Sequence, residues 1–230
     1  MSDDFRTKLA MAKRRIEKEK AVTLRLPIRF SFRDHGVYDF EPVLTFFDWT
    51  LKDRPVRIDL STCKSANYQA LSLLVAYAWC LRNQGCTVSF NEDSGEDGAS
   101  SMWRQMGARG LFQVAVHQAQ NFKGHHYKPL IAIRNNDDFK IAISSAEGYT
   151  KDFNVEYSHT LRYVLSELLY NTLEHGKSFF EHQGKLKRVP SLVQFTWYKN
   201  NNEIQFIIAD TGVGIKQHLE QAYPGQESHE

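Results

Sequence analysis

Two short runs decide how this chain is read: Ser166-Glu-Leu-Leu-Tyr-Asn-Thr-Leu-Glu-His-Gly176 and Ala209-Asp-Thr-Gly-Val-Gly-Ile215. Around the first, Leu161, Val164, Leu165, Leu168, Leu169 and Leu173 recur at helical spacing and predict a helix from about Asn154 to Phe180. Glu167 and Asn171 stand four residues apart on it, so they share a face. A Glu/Asn pair beside a leucine stripe is also what an ordinary solvated helix edge presents. The second run changes the weight of the first. An apolar strand, Glu203 to Ala209, empties directly into Asp210 and two spaced glycines, Gly212 and Gly214. Such a strand end holds a carboxylate at a sheet edge, beside backbone that a ligand can approach closely.

Outward from these runs, Leu192 to Tyr198 and Ile204 to Ala209, joined by Lys199-Asn-Asn-Asn202, predict a hairpin ending at Asp210. Upstream, Leu130 to Ile133 and Phe139 to Ser144 read as strands flanking a turn at Arg134-Asn-Asn-Asp-Asp138. The expectation is an α/β layer of helices on a mixed sheet. Earlier still, Val22 to Pro27, Arg29 to Phe32, Pro55 to Leu60 and Thr87 to Phe90 read as strands, with a helix from Asn67 to Gln84. A strand, helix and strand in that order make a crossover unit with parallel strands. A helix at Ala99 to Met106 and the run Gly107 to Phe112 close that unit. Gly124-His-His-Tyr-Lys-Pro129 reads as a linker. Its adjacent histidines lack Cys, Asp or Glu partners at a supporting spacing, which argues against a metal site. The expected organisation is a charged helix over 1–20, an α/β domain over 21–123 and a second over 124–230.

Composition bounds the function classes. A chain of 230 residues with 42% hydrophobic content is long and apolar enough for two folded cores, which excludes a disordered tail. No run approaches the ~20 apolar residues of a bilayer span, and Met1 to Lys20 is charged where a signal peptide would be apolar, so a cytoplasmic protein is expected. A net charge of +2 calls for neither nucleic acid nor membrane. Cys63, Cys80 and Cys86 are odd in number and unpaired in spacing, and read as buried free thiols. In Asp3 to Lys20 the basic Lys13-Arg14-Arg15 is interspersed with Glu17 and Glu19, which reads as a solvated helix or interaction arm.

At its two decisive runs the chain resembles the GHKL superfamily, the ATP-binding fold shared by gyrase, heat-shock chaperones, histidine kinases and mismatch-repair ATPases. Glu167-x-x-x-Asn171 looks like its N-box and Asp210-x-Gly212-x-Gly214 like its G1 box. The resemblance implies ATP and Mg2+ as cofactors. By it, Asn171 would hold the magnesium ion that bridges the phosphates. Asp210 would accept a hydrogen bond from the adenine amino group, Gly212 and Gly214 would let the chain turn beneath the base, and Glu167 would act as general base. A Glu at the first N-box position, with His175-Gly176 after the Asn, is similar to the anti-sigma-factor serine kinases. His175 itself is either a nucleotide contact or a residue that caps or packs the helix end.

In that family a lid and a second glycine-rich box follow the G1 box and wrap the triphosphate. Here Lys216 to Glu230 hold no Gly-x-Gly cluster, and a helix at Lys216 to Ala222 looks like the start of the lid. Truncation is the expectation, with a partner supplying the rest or a degenerate domain as alternatives; a truncated chain would bind ATP weakly or not at all.

The first block resembles the STAS domain, in Val56-Arg-Ile-Asp-Leu-Ser61, Ala70-Leu-Ser-Leu-Leu74, Gly85-Cys-Thr-Val88 and Met106-Gly-Ala-Arg-Gly-Leu-Phe112. The family's phosphorylated Asp-Ser-Ser-Gly run is replaced by Asn67-Tyr-Gln-Ala70, which removes the acceptor serine and leaves a docking or dimerisation surface. Together the resemblances imply a regulatory ATP-binding protein, a kinase or ATP-dependent switch acting on a partner protein, with a homodimer as one arrangement. The alternative is a nucleotide-independent scaffold built on the same two folds. A chaperone or topoisomerase-like machine would carry a transducer domain after the ATP site.

Overall fold

A computed structural model describes residues 7–9, 11–12, 20–34, 36–117, 119–125, 128–150, 152–176, 178–198, 203–212 and 214. Most of the helix expected over Asp3 to Lys20, the Lys199 to Asn202 turn and the helix expected over Lys216 to Ala222 lie outside the described residues. The chain divides into two compact units, Met1–Ala70 with Cys80–Met102, and Leu71–Trp79 with Trp103–Glu230. No helix among the described residues is long and apolar enough to cross a membrane.

In the first unit the strands are β1 (Val22–Arg25), β2 (Arg29–Phe30), β3 (Arg33–Asp34) and β4 (Val37–Tyr38), followed by the short helix α1 (Glu41–Leu44), then β5 (Pro55–Asp59) and β6 (Ser65–Ala66). Helix α2 (Tyr68–Asn83), whose Leu71–Trp79 belongs to the second unit, β7 (Thr87–Asn91) and α3 (Gly98–Gln105), in the first unit as far as Met102, follow. The expected parallel crossover is present: the sheet order is β1-β5-β7, with Val22 opposite Val56 and Asp59 opposite Asn91. Helix α2 starts where the Asn67 side chain accepts from the Ala70 N–H at 2.8 Å, a polar N-cap ahead of an apolar run. It ends before Gly85, whose φ of +81° suits glycine. Phe30, Phe46 and Phe47 meet edge to face, with centroids 5.3 to 6.1 Å apart. All three cysteines are free; Cys63 and Cys86 are buried, while Cys80 is partly exposed.

Asp59 closes this sheet chemically. Its carboxylate accepts from Ser61 Oγ at 2.6 Å, Ser61 N at 3.1 Å and Asn91 Nδ2 at 2.9 Å, with Arg25 Nε at 3.5 Å. The Ser61 hydroxyl foremost, aided by the Ser61 N–H, Asn91 and Arg25 and opposed by burial, holds the Asp59 carboxyl below the usual range. A depressed folded-state value means that the ionised group stabilises the fold above the ordinary carboxylate value of about 3.9. That contribution is lost as pH falls through the folded value. The Asp59→Asn variant is therefore expected to be less stable at neutral pH and to show a flatter stability profile below about pH 4, measured by urea unfolding across pH. Equal slopes for variant and wild type would refute the assignment.

The second unit continues with a 3-10 turn (Ala108–Gly110), α4 (Leu111–Val116), β8 (Leu130–Ile133), α5 (Asn136–Thr150), α6 (Val155–Glu174), β9 (Phe179–His182), β10 (Lys185–Arg188), β11 (Ser191–Tyr198) and β12 (Glu203–Ala209). Its three-stranded sheet runs β12-β11-β8 and is antiparallel throughout, which corrects the expected mixed sheet. Phe139 to Ser144, expected as a strand, lies inside helix α5. The Asn135 side chain accepts from the N–H groups of Asp137 (2.9 Å) and Asp138 (3.0 Å), and two acids occupy the first turn, so the predicted turn is a helix start. Phe139, Ala142, Ile143, Ala146 and Thr150 then recur at helical spacing on the inward face. Ile131, Ile133, Val193 and Phe195 of the sheet pack with Ala142, Ile143, Ala146, Leu165, Leu169 and Leu173 of the two helices as one core.

Helix α6 begins at Asn154, whose side chain accepts from Glu156 N at 2.8 Å. It stops at Glu174, not near Phe180, and the chain turns into the β9–β10 hairpin through Gln183 and Gly184, both at positive φ. Of the expected apolar stripe, Leu165, Leu169 and Leu173 are buried, whereas Val164 and Leu168 are exposed. The stretch read as a linker is seated on protein: a Cβ on Gly124 would stand 2.6 Å from Met106 C and O, and His125 N donates to Gln105 O at 2.7 Å.

Candidate functional site

Helix α6 delivers Glu167 and Asn171 on its exposed side, because Leu165, Leu169, Thr172 and Leu173 take the buried one. Strand β12 delivers Asp210 at the open end of the hairpin, where Ala209 pairs with Leu192. The two motifs meet at the last turn of the helix. Gly176 is buried, and a Cβ there would stand 2.6 Å from Thr172 O, 2.7 Å from Asp210 Cβ and 2.9 Å from Asp210 Cγ. A Cβ on Gly212 would stand 2.7 Å from Gly176 Cα and 2.8 Å from His175 O. Neither glycine has a positive φ, so both are glycine for lack of room and not for backbone freedom. Gly214 is the opposite case, with φ +81° and open space around a notional Cβ.

Asp210 is exposed, and its Oδ1 accepts from the Gly212 N–H at 2.9 Å, which fixes the carboxylate at the mouth of the strand. The Ser178 and Thr211 hydroxyls share a 2.5 Å hydrogen bond behind it. The contacts that join the runs are thus made by His175 and Gly176 with Asp210 and Gly212. Glu167 and Asn171 lie farther back along the helix and remain free for solvent or a ligand. His175 is the C-cap residue of α6, exposed, with its N–H on Asn171 O at 2.8 Å.

Arg188 of β10 was not singled out by the sequence. Its Nη2 donates to Thr172 O at 3.0 Å and Leu173 O at 2.9 Å, two carbonyls in the last turn of α6. Burial lowers the Arg188 guanidinium below its ordinary value, and the charges of Glu174 and Asp210 oppose that shift. In the sequence Arg188 is one basic residue among Lys185-Leu-Lys-Arg188, and nothing there distinguishes it.

The residues present fit a nucleotide with a hard cation. An exposed carboxylate anchored by a backbone N–H can take a hydrogen bond from a base amine, two Cβ-free residues lie directly beside it, and the Asn171 amide supplies an oxygen ligand. Among the described residues there is no group of three or more His, Cys, Asp or Glu placed to hold a metal by themselves, and magnesium held through one side chain and substrate phosphates needs no such group. No protein-family model, no curated protein and no solved structure matches this chain.

Proposed function

We propose that this chain is an ATP-binding regulatory protein of the histidine-kinase-like ATPase superfamily, acting as a protein kinase or ATP-dependent switch on a partner protein. The observation that carries the reading is the close approach of Gly176 and Gly212 beside the anchored Asp210 carboxylate. Two sequence runs more than thirty residues apart, each bland alone, form one junction with an acceptor at its edge. Asp210 receives the adenine amine, Gly212 steadies that carboxylate through its N–H, and Asn171 would hold Mg2+. Held there, the cation would neutralise phosphate charge. Glu167, exposed one turn before Asn171, accepts the proton of the attacking hydroxyl.

The first unit acts as a STAS-like docking surface without a phosphorylation switch. At the position of the family's serine run, Asn67 is occupied as the cap of α2, and Tyr68 is buried, its hydroxyl pushed up to about 12 by burial. A buried phenol is a packing group and no acceptor.

The test is saturation-transfer NMR of ADP with Mg2+ at millimolar concentration, since the adenine contacts lie in the described residues. Wild type is expected to bind, and Asp210→Asn to weaken binding about 10- to 100-fold, the scale of a hydrogen bond to a charged acceptor. The fold should be unchanged, because the side chain is exposed. No ADP signal in the wild type, or equal binding by the variant, would replace this reading with a nucleotide-independent scaffold.

A further inference from the structure

We propose that Arg188 is the positioning residue of the adenine pocket, setting the Asp210 carboxylate by holding the end of helix α6; the inference rests on the nucleotide reading above. The chain of contacts is continuous. Arg188 Nη2 binds Thr172 O and Leu173 O. Thr172 O also accepts from the Gly176 N–H at 3.1 Å, and any Cβ on Gly176 would strike that same oxygen and Asp210 together. Gly176 in turn abuts Gly212, whose N–H binds Asp210 Oδ1. The guanidinium therefore fixes the last carbonyls of the helix, the helix end fixes Gly176, and Gly176 leaves Asp210 no room to shift toward it.

Two further observations favour a role beyond capping. Arg188 Nε is buried and has no hydrogen-bond partner among the described residues, so the guanidinium is held for its position at some loss of hydrogen bonding. Its charge also lies within the field of Glu174 and Asp210, while the Asp210 side chain stays exposed to a ligand. A helix C-terminus can be capped by a glycine alone. Here a strand two elements away in sequence supplies the cap and reaches the site.

The discriminating ligand pair is ADP and inosine diphosphate, which differ at the purine 6-position, an amine against a carbonyl. At that position only the amine donates to a carboxylate. The experiment is 15N NMR titration of both nucleotides into wild type, Arg188→Met and Arg188→Lys, with the Gly212 amide as the reporter of the Asp210 Oδ1 bond. In the absence of nucleotide, Arg188→Met is expected to shift the Gly212 amide and speed its hydrogen exchange about tenfold or more, and Arg188→Lys to return it part of the way. With nucleotide, Arg188→Met is expected to lose at least about tenfold of its affinity for ADP while inosine diphosphate is unaffected, so the preference collapses. A Gly212 amide indifferent to Arg188→Met overturns the inference, as does equal weakening of both nucleotides, which is what a capping residue alone would produce. Absence of ADP binding by the wild type, with the Gly212 amide still responding to Arg188→Met, overturns the nucleotide reading and the adenine role with it.

Discussion

Replacing Arg134 by methionine is expected to lower the stability of the second unit by about 3–5 kcal/mol, the cost of breaking a buried ion pair from one side. Arg134 and Asp138 form a two-pronged pair, Nε to Oδ2 at 2.8 Å and Nη2 to Oδ1 at 3.0 Å, with side chains only 6% and 8% exposed. The remaining nitrogen, Nη1, donates to Val114 O at 3.2 Å, His117 O at 2.9 Å and Gln120 O at 2.6 Å. One side chain thus satisfies the end of α4, the loop after it and the first turn of α5. Methionine keeps the packing volume but leaves the buried Asp138 carboxylate with the backbone N–H of residue 134 at 3.1 Å in place of the guanidinium, and it removes the donor to the part-buried Val114 carbonyl. Urea unfolding of the variant measures the loss. The double variant Arg134→Met/Asp138→Leu, which removes both charges, should recover most of it. A loss below about 1 kcal/mol in the single variant would mean that solvent reaches the pair.

A second large effect is expected at Gly176. Valine there places a branched side chain where even a Cβ would stand 2.6 Å from Thr172 O and 2.7 Å from Asp210 Cβ. Because the obstacles are backbone and the root of a side chain, neither can swing aside, and the end of α6 must separate from the Asp210 turn. Overpacking of this kind costs about 1–3 kcal/mol. The functional consequence is larger than the stability loss, since the junction itself is the candidate site: ADP binding should fall below detection while the helix content by circular dichroism stays close to wild type. Valine at Gly214, where a Cβ meets open space but φ is +81°, should strain the local turn and leave the α6 junction intact. Similar losses at both positions would show that the turn as a whole, and not the contact at Gly176, governs binding.

Much of this could be read from residues near one another in the chain. The helix carrying Glu167 and Asn171, the strand Glu203–Ala209 and the parallel crossover from Pro55–Asp59 to Thr87–Asn91 follow from periodicity and strand composition, which act over a few residues. The misreading of Phe139 to Ser144 had a local remedy: Asn135 followed by Asp137 and Asp138 is capping chemistry, and a short apolar run is ambiguous until its flanks are weighed. The hairpin at Phe179–Arg188 was not read from the sequence; its turn residues, Gln183 and Gly184, both stand at positive φ.

Other features depend on distant parts of the chain. Leu165 and Leu168 are chemically alike, yet one is in the core and one is exposed, because α5 and the sheet cover only part of the leucine face. Arg188 differs from its basic neighbours only in lying within reach of two carbonyls at the end of α6. Gly176 and Gly212 look like turn residues until their neighbours across the junction are known. Residue types and spacing therefore determined which elements carry Glu167, Asn171 and Asp210. Packing of α6 against β10 and β12 established which groups meet, since a hydrogen bond or a missing Cβ acts over about 3 Å and the chain brings such pairs together only once its core has closed.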